Sequence, residues 1–340
     1  MPPELRYLLM NIATDKPRCP LPMPWGWFQV MFSKDLKAGE SKPLRYFGTD
    51  LVIFRTESGE AKVLDAYCPH MGAHLGYGIR NNAGGGSRVI GDSIECPFHG
   101  WRYNGEGQCT HVPYAKNLPP RVAKGEQLIA CWPVREVNQQ ILVWYHPEKA
   151  APSFEPPEIA EALPGNADWT DFIIHEWTIN THMQEMAENS VDVAHFEYVH
   201  GTSDVPEAAV QEFEGHTRHA KFNTRNPTPR GVVEGSIEAR NWGPGLSLVR
   251  FGGIYETVLI ANVTPVENEV THAQYAFIQP KATVDTLGKT VGQAIIANIC
   301  QQMEEDKIIW DRKIYHERPL LCDGDGPFAK ARRWYSQFLA

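Results

Sequence analysis

A chain of 340 residues, 42% hydrophobic and 21% charged, has the make-up of an ordinary globular protein and is long enough for two domains with a large core. Its formal net charge of −9 excludes a nucleic-acid surface, which needs a basic stripe that is not found, and disfavours anionic membranes likewise. No apolar run approaches a membrane span, and the start Met1-Pro2-Pro3-Glu4 lacks the basic and apolar regions of a signal peptide, so a soluble, cytoplasmic protein is expected.

From Trp25 to about Tyr145, short β-rich runs such as Leu51-Val52-Ile53-Phe54 and Ile141-Leu142-Val143-Trp144 are punctuated by glycine, with no long amphipathic helix. This predicts a small all-β domain. Within it, Cys68-Pro69-His70 and Cys96-Pro97-Phe98-His99 supply two thiolates and two imidazoles, the donor set of a Rieske [2Fe-2S] cluster. Cys68 and Cys96 would hold one iron, His70 and His99 the other. Exchanging thiolate for neutral imidazole removes negative charge and raises the potential, to roughly −150 to +300 mV. A tetrahedral zinc ion accepts the same donors. Against zinc, each half is a hairpin tip followed by glycine (Gly72, Gly100), no finger helix follows, and Pro69 and Pro97 stiffen both loops. Cys19, Cys109, Cys131, Cys300 and Cys322 have no such partners and read as buried or idle thiols; an odd number argues against a disulfide framework.

The proline-dense stretch Ala150-Ala151-Pro152-Ser153-Phe154-Glu155-Pro156-Pro157 is where a linker belongs, dividing the chain into residues 1–150 and 151–340. The second part is predicted to be α+β, with helices packed on a sheet: a helix around Thr181 to Tyr198, antiparallel strands between about Ser236 and Gln279, and a long helix from about Val291 to Tyr315.

The segment from Asn189 to His200 offers His195 and His200, with Asp192 beside them. Two histidines and one more carboxylate would complete the facial triad of a non-haem Fe(II) oxygenase, which leaves open positions on the metal. On an ideal helix, positions five apart diverge by about 140°. The helix is therefore expected to bulge, tighten or end between His195 and His200. In the last long helix Ile295, Ile299, Met303, Asp306 and Trp310 recur every three or four residues, which puts Asp306 on the apolar stripe. A carboxylate there is costly unless paired or bound to metal, whereas Glu304 and Glu305 are expected to point elsewhere, into water. Asp306 is the expected third ligand and Asp311 the next candidate. Strand residues Phe251, Tyr255, Val258, Leu259, Ile260, Tyr275 and Phe277 fit a cavity wall and ordinary core equally, and none is assigned to substrate. His74, His111, His146, His175, His182, His216 and His219 are read as surface or supporting residues.

Both motifs in this order, with Asp65-Ala66-Tyr67 before the first and the tail Asp325-Gly326-Pro327 followed by Arg332-Arg333-Trp334-Tyr335-Ser336-Gln337-Phe338, resemble the terminal oxygenase subunits of Rieske non-haem iron oxygenases over nearly the whole chain. The steroid-acting members are the nearer likeness: bacterial 3-ketosteroid 9α-hydroxylase and animal cholesterol 7-desaturase. The resemblance implies a Rieske domain followed by a helix-grip catalytic domain, with [2Fe-2S] on Cys68, His70, Cys96 and His99. It further implies mononuclear iron on His195, His200 and Asp306, and Asn189 near that iron. It implies a ring-shaped homotrimer in which Asp192 links a cluster histidine of one chain to an iron-ligating histidine of another. A separate NAD(P)H-dependent flavin and iron-sulfur reductase would supply electrons, and a steroid-like substrate would be hydroxylated. Sterol desaturation, aromatic hydroxylation and demethylation use the same iron site and stay open. So does another class, an electron carrier whose C-terminal half binds a lipid. The segment Asn81-Asn82-Ala83-Gly84-Gly85-Gly86-Ser87 departs from the bacterial pattern and is expected to be an exposed loop.

Overall fold

The computed structural model describes residues 17–78, 86–201, 208–228, 231–253 and 255–339. Residues Met1 to Glu4 and Asn81 to Gly85, on which two expectations rested, lie outside them.

The N-terminal part is all-β, as expected. Its strands are β1 Gly26–Phe32, β2 Ser41–Tyr46, β3 Thr49–Arg55, β4 Ala61–Asp65, β5 Val89–Ile90, β6 Ser93–Glu95, β7 Arg102–Asn104, β8 Cys109–His111, β9 Cys131–Trp132, β10 Val134–Val137 and β11 Gln140–Tyr145. They form three antiparallel sheets, ordered β1-β11-β10, β2-β3-β4-β9 and β5-β6-β7-β8. One turn of helix, α1 (Pro120–Ala123), is inserted. The uninterrupted apolar run of β3 has a simple cause. Successive side chains point to opposite faces, and both faces are covered: Val52 and Phe54 join Leu64, Ile94 and Tyr103, while Leu51 and Ile53 join Phe28, Ile141 and Val143. The proline-dense segment is tied down, for Phe154 packs with Trp27 and Trp144 and its carbonyl accepts from Trp27 Nε1 at 2.7 Å.

The C-terminal part is built on one seven-stranded antiparallel sheet of β12 Ile173–Ile179, β13 Ala208–Glu214, β14 Thr217–Thr228, β15 Gly231–Trp242, β16 Leu246–Gly252, β17 Thr257–Glu267 and β18 Val270–Ile278, ordered β12-β18-β17-β16-β15-β14-β13. It begins well before Ser236. In β14 the inward positions, Ala220, Phe222 and Thr224, include small and polar residues between charged neighbours, so the period-two signal is weak.

The single helix expected over Thr181 to Tyr198 is two short ones, α2 (Met183–Asn189) and α3 (His195–Tyr198). The break follows from side chains that hold the backbone in a turn: Ser190 Oγ donates to the Ala187 carbonyl, and Asp192 Oδ1 accepts from the His195 amide at 3.4 Å. After α4 (Lys281–Leu287), the long helix α5 runs over Lys289–Trp310 and stops short of Tyr315. Its buried stripe is Gly292, Ile296, Met303, Asp306 and Trp310; Ile295 and Ile299 are only half-buried, a phase error of one residue at the N-terminal end. Helix α6 (Phe328–Tyr335) closes the chain. One face of the sheet, with Leu259, Ala261 and Phe277, packs under Ile296 of α5. The other, with Val258, Ile260 and Ile278, packs with Phe32 and Ile159.

Candidate metal centres and cavity

The two loops carrying Cys68-x-His70 and Cys96-x-x-His99 have one geometry. The Cys68 carbonyl accepts from the Gly72 amide at 2.9 Å and the Cys96 carbonyl from the Gly100 amide at 3.0 Å. Each glycine sits at positive φ, +75° and +73°, where a side chain would be strained. The Cys68 and Cys96 side chains face each other and share a hydrogen bond, which with contacts from the Tyr103 hydroxyl (3.1 Å) and the His70 and Met71 amides holds the Cys68 thiol low, at about 6. Hydrogen bonding to Cys68 and burial push the Cys96 thiol up. His70 stacks on Trp101 at 4.5 Å and meets His99 edge-on at 4.8 Å. The Nδ1 atoms of both histidines are buried without a partner. Two thiols in contact and two orphaned imidazole nitrogens fit a cluster that bridges them.

The second centre forms where α3 meets α5. His195, His200 and Asp306 each offer a ligand atom, all within 4.8 Å of one another, the one such grouping found among the described residues. Helix α3 ends at Tyr198, and His200 lies in the turn that follows it, closed by a bond from the Gly201 amide to the Glu197 carbonyl at 3.1 Å. His195 Nδ1 donates to the Asp192 carbonyl. Its Nε2 is left as the acceptor, 3.1 Å from Asn189 Nδ2, which also donates to Asp306 Oδ2 at 3.0 Å. His200 Nδ1 donates to Glu305 Oε2 at 2.9 Å, and Nε2 lies 3.4 Å from Asp306 Oδ1. A bare imidazole nitrogen facing a carboxylate oxygen requires a cation between them, a proton or a metal. Burial holds the His195 pKa below the ordinary range and favours the neutral ligand form. Burial also depresses His200, but Asp306 and Glu305 outweigh it and the net shift is upward. The residues present fit a mononuclear iron.

One expectation needs correction. Glu305 does not stay apart in water: it is the acceptor that fixes the His200 ring, a support that helix spacing alone did not reveal. The His195 tautomer is set by the Asp192 backbone carbonyl; the Asp192 carboxylate stands off, with Oδ1 4.0 Å from Nδ1 and the side chain about a third exposed. Asp311 takes no part, because its carboxylate accepts from the Asn180 amide and pairs with Lys307. Glu304 accepts from Trp177 Nε1 instead. Trp101 and Tyr103 are the other supports that were missed; both follow the second cysteine loop closely in sequence.

The triad opens onto a cavity of about 270 Å³ between α2, α5 and the sheet, walled by Phe196, Phe222, Val249, Phe251, Leu259 and Tyr275 among others. Strand alternation sorts the sequence candidates. Leu259, Phe251 and Tyr275 line it, whereas Val258 and Ile260 face the opposite side of the sheet and Phe277 lies in the core under Ile296.

A cluster-binding β domain joined to a sheet-and-helix unit with two imidazoles and a carboxylate over an apolar cavity is the architecture of a Rieske non-haem iron oxygenase. Residues 26–133 match the Rieske [2Fe-2S] domain family, and residues 143–339 match the 3-ketosteroid 9α-hydroxylase C-terminal domain family. A 3-ketosteroid-9α-monooxygenase oxygenase component of Rhodococcus rhodochrous is 34% identical over 92% of this chain and 82% of that protein. Cholesterol 7-desaturase nvd 1 of Ciona intestinalis is 31% identical over 93% of this chain and 68% of its own length. Among solved structures, dicamba monooxygenase bound to 3,6-dichlorosalicylic acid shares the fold, with a TM-score of 0.71 at 17% identity over 92% of this chain and 96% of that one. The chain belongs to the Rieske oxygenases, in the branch that contains the 3-ketosteroid 9α-monooxygenase oxygenase components and the cholesterol 7-desaturases.

Proposed function

We propose that this chain is the terminal oxygenase component of a multicomponent monooxygenase that hydroxylates a steroid-like substrate. The observation that carries the reading is the convergence of His195, His200 and Asp306 at the wall of an apolar cavity in a chain with a Rieske domain. Cys68, His70, Cys96 and His99 would hold the cluster, and the triad a mononuclear iron. Bound there, the iron supplies dioxygen activation and C–H oxygenation, with electrons passed from the cluster. The rest is done by the chain's own side chains. Glu305 and the Asp192 carbonyl fix both ring orientations, Asn189 Nδ2 donates a hydrogen bond beside the ligand atoms, and the apolar wall excludes water and presents one face of a rigid molecule. The sterol desaturases among the relatives favour a second outcome at the same site, removal of two hydrogens.

The partners follow from the same reading. A relative named as an oxygenase component supports a separate NAD(P)H-dependent flavin and iron-sulfur reductase. A ring-shaped homotrimer is supported by the exposed cluster edge, where Met71 and Phe98 are 65% and 61% exposed, and by the accessible Asp192 carboxylate, which would face the cluster histidines of a neighbouring chain. We place the division between the two units at residues 150 and 151. Among the described residues no helix is long and apolar enough to cross a membrane. A cytoplasmic location accords with seven unpaired thiols.

The test is aerobic turnover with a reductase against sterols, 3-ketosteroids and aromatic acids, scored by product mass. One added oxygen on a 3-ketosteroid supports the proposal, and loss of two hydrogens from a sterol supports the desaturase outcome. Reaction of flat aromatic rings alone overturns the steroid assignment.

A further inference from the structure

Arg218 lies in β14, opposite Asn241 of β15, and lines the same cavity as the iron triad. It is only 4% exposed. A guanidinium stays charged inside a protein, and a buried charge is normally matched by a carboxylate. Here none of the described carboxylates pairs with it. Its Nη2 donates to the Ser190 carbonyl at 2.5 Å, its Nη1 reaches Asn241 Oδ1 at 3.5 Å, its face lies 5.7 Å from the Phe213 ring, and its Nε–H has no partner at all. Burial alone depresses its pKa, to about 10, with no acidic neighbour opposing it. The carbonyl at the end of α2 offsets part of the charge, since Ser190 caps that helix, but a helix of seven residues ending in one contact does not neutralise it. The two carboxylates in the cavity lining are engaged elsewhere, Glu188 by Arg332 and Asp306 by Asn189 and His200.

We infer that Arg218 determines specificity by receiving a carboxylate carried on the substrate, so that the cavity takes an acidic, steroid-like molecule with its rigid apolar body toward Phe251 and Leu259. A ketone oxygen would satisfy the free Nε–H but leave the charge unmatched. A carboxylate satisfies both, and its two oxygens suit the guanidinium fork. Ser190 adjoins Asn189, which touches His195 and Asp306, so the anchored end would lie on the α2 side of the cavity.

This inference rests on the oxygenase reading above, and its test separates the two. Binding of a 3-oxo steroid bearing a side-chain carboxylate, and of its methyl ester, is measured on the iron-loaded protein by tryptophan fluorescence, with kcat and KM from product mass. The expected result is that the acid binds at least tenfold more tightly than the ester. In Arg218→Gln the acid loses that advantage through KM while the ester is little changed, and Arg218→Lys retains part of it. The wild-type comparison needs no variant, so a misfolded Arg218→Gln does not block the test. Equal affinity for acid and ester, or equal loss of both in Arg218→Gln with an unchanged unfolding midpoint, overturns the role of Arg218 and leaves the oxygenase reading standing. If neither steroid binds or reacts while an aromatic acid does, the steroid reading fails, and this inference with it.

Discussion

His200 shows how ligand and support are combined in one side chain. Its two ring nitrogens reach adjacent residues of α5, Nε2 toward Asp306 and Nδ1 to Glu305. Replacement of His195 by alanine is expected to remove the mononuclear iron and leave the cluster, lowering the count from three irons to two per chain while two sulfides and the Rieske spectrum persist. Wild-type material that contains only two irons would refute the site. Glu305→Ala tests the support separately. Loss of such an acceptor typically weakens metal binding about 10–100-fold, measurable by chelator competition, and Glu305→Gln should recover most of it because the amide oxygen still accepts from Nδ1. Iron retention equal to wild type in Glu305→Ala would show that the contact does not matter. Asp306 was legible in the sequence because a carboxylate on an apolar helix stripe demands a partner. Glu305 was not, because successive helix residues diverge by about 100°, and only the position of a ring between them lets one histidine meet both.

The helix α2 that carries Asn189 is braced by the C-terminal tail. Arg332 grips the buried Glu188 with two bonds, Nε to Oε1 at 2.7 Å and Nη2 to Oε2 at 2.9 Å. Gly326 lies so close to the turn after α2 that a Cβ would come within 1.7 Å of the Val191 carbonyl oxygen. Backbone cannot yield as a flexible side chain would, and overpacking of this kind costs about 1–3 kcal/mol. Gly326→Ala is therefore expected to lower the unfolding free energy by that amount and, by shifting the turn that bears Asp192 and His195, to reduce mononuclear iron occupancy without bleaching the cluster. Arg332→Met leaves Glu188 buried with only Gln184 as donor and should cost about 3–5 kcal/mol in a denaturant titration. An unchanged denaturation midpoint in both variants would mean the tail is not a brace. The tail was visible in the sequence as a run of motif residues, but its purpose was not, since Arg332 and Glu188 are 144 positions apart. The cluster loops were legible for the opposite reason: donors, stiffening prolines and positive-φ glycines all fall within a few residues. The strands β12 to β14 were hidden because their wet face is charged and their inward face only partly apolar.

The apolar joint between the two halves of the chain encloses a buried polar contact. Asn262 of β17 donates from Nδ2 to Gln29 Oε1 at 2.6 Å and to Gln140 Oε1 at 3.0 Å, so one amide of the seven-stranded sheet is fastened to β1 and β11 of the N-terminal sheets. Thr264 adds a bond from its hydroxyl to the Gln29 carbonyl at 2.6 Å. All four residues are buried. No sequence pattern reported this, because the partners are 233 and 122 positions from Asn262 and polar residues on strands read as solvent-facing. Under the proposed trimer, electrons would leave one half of a subunit and be used in the other half of a neighbour, so a loose joint within each chain would smear the distances between the two centres. Asn262→Ala isolates the joint. It strips the donor from two buried glutamine oxygens, and each unsatisfied group costs about 1–3 kcal/mol, more than the few tenths gained from β-sheet or entropy terms at a small residue. Since both halves have their own apolar cores, the loss should fall on their coupling: calorimetry is expected to resolve one wild-type transition into two, the cluster and the mononuclear iron should both remain bound, and oxygen consumption should lose its match to product formation. A single transition at the wild-type temperature, with coupling intact, would show that the halves are held together by apolar packing and that the buried amides contribute nothing to it.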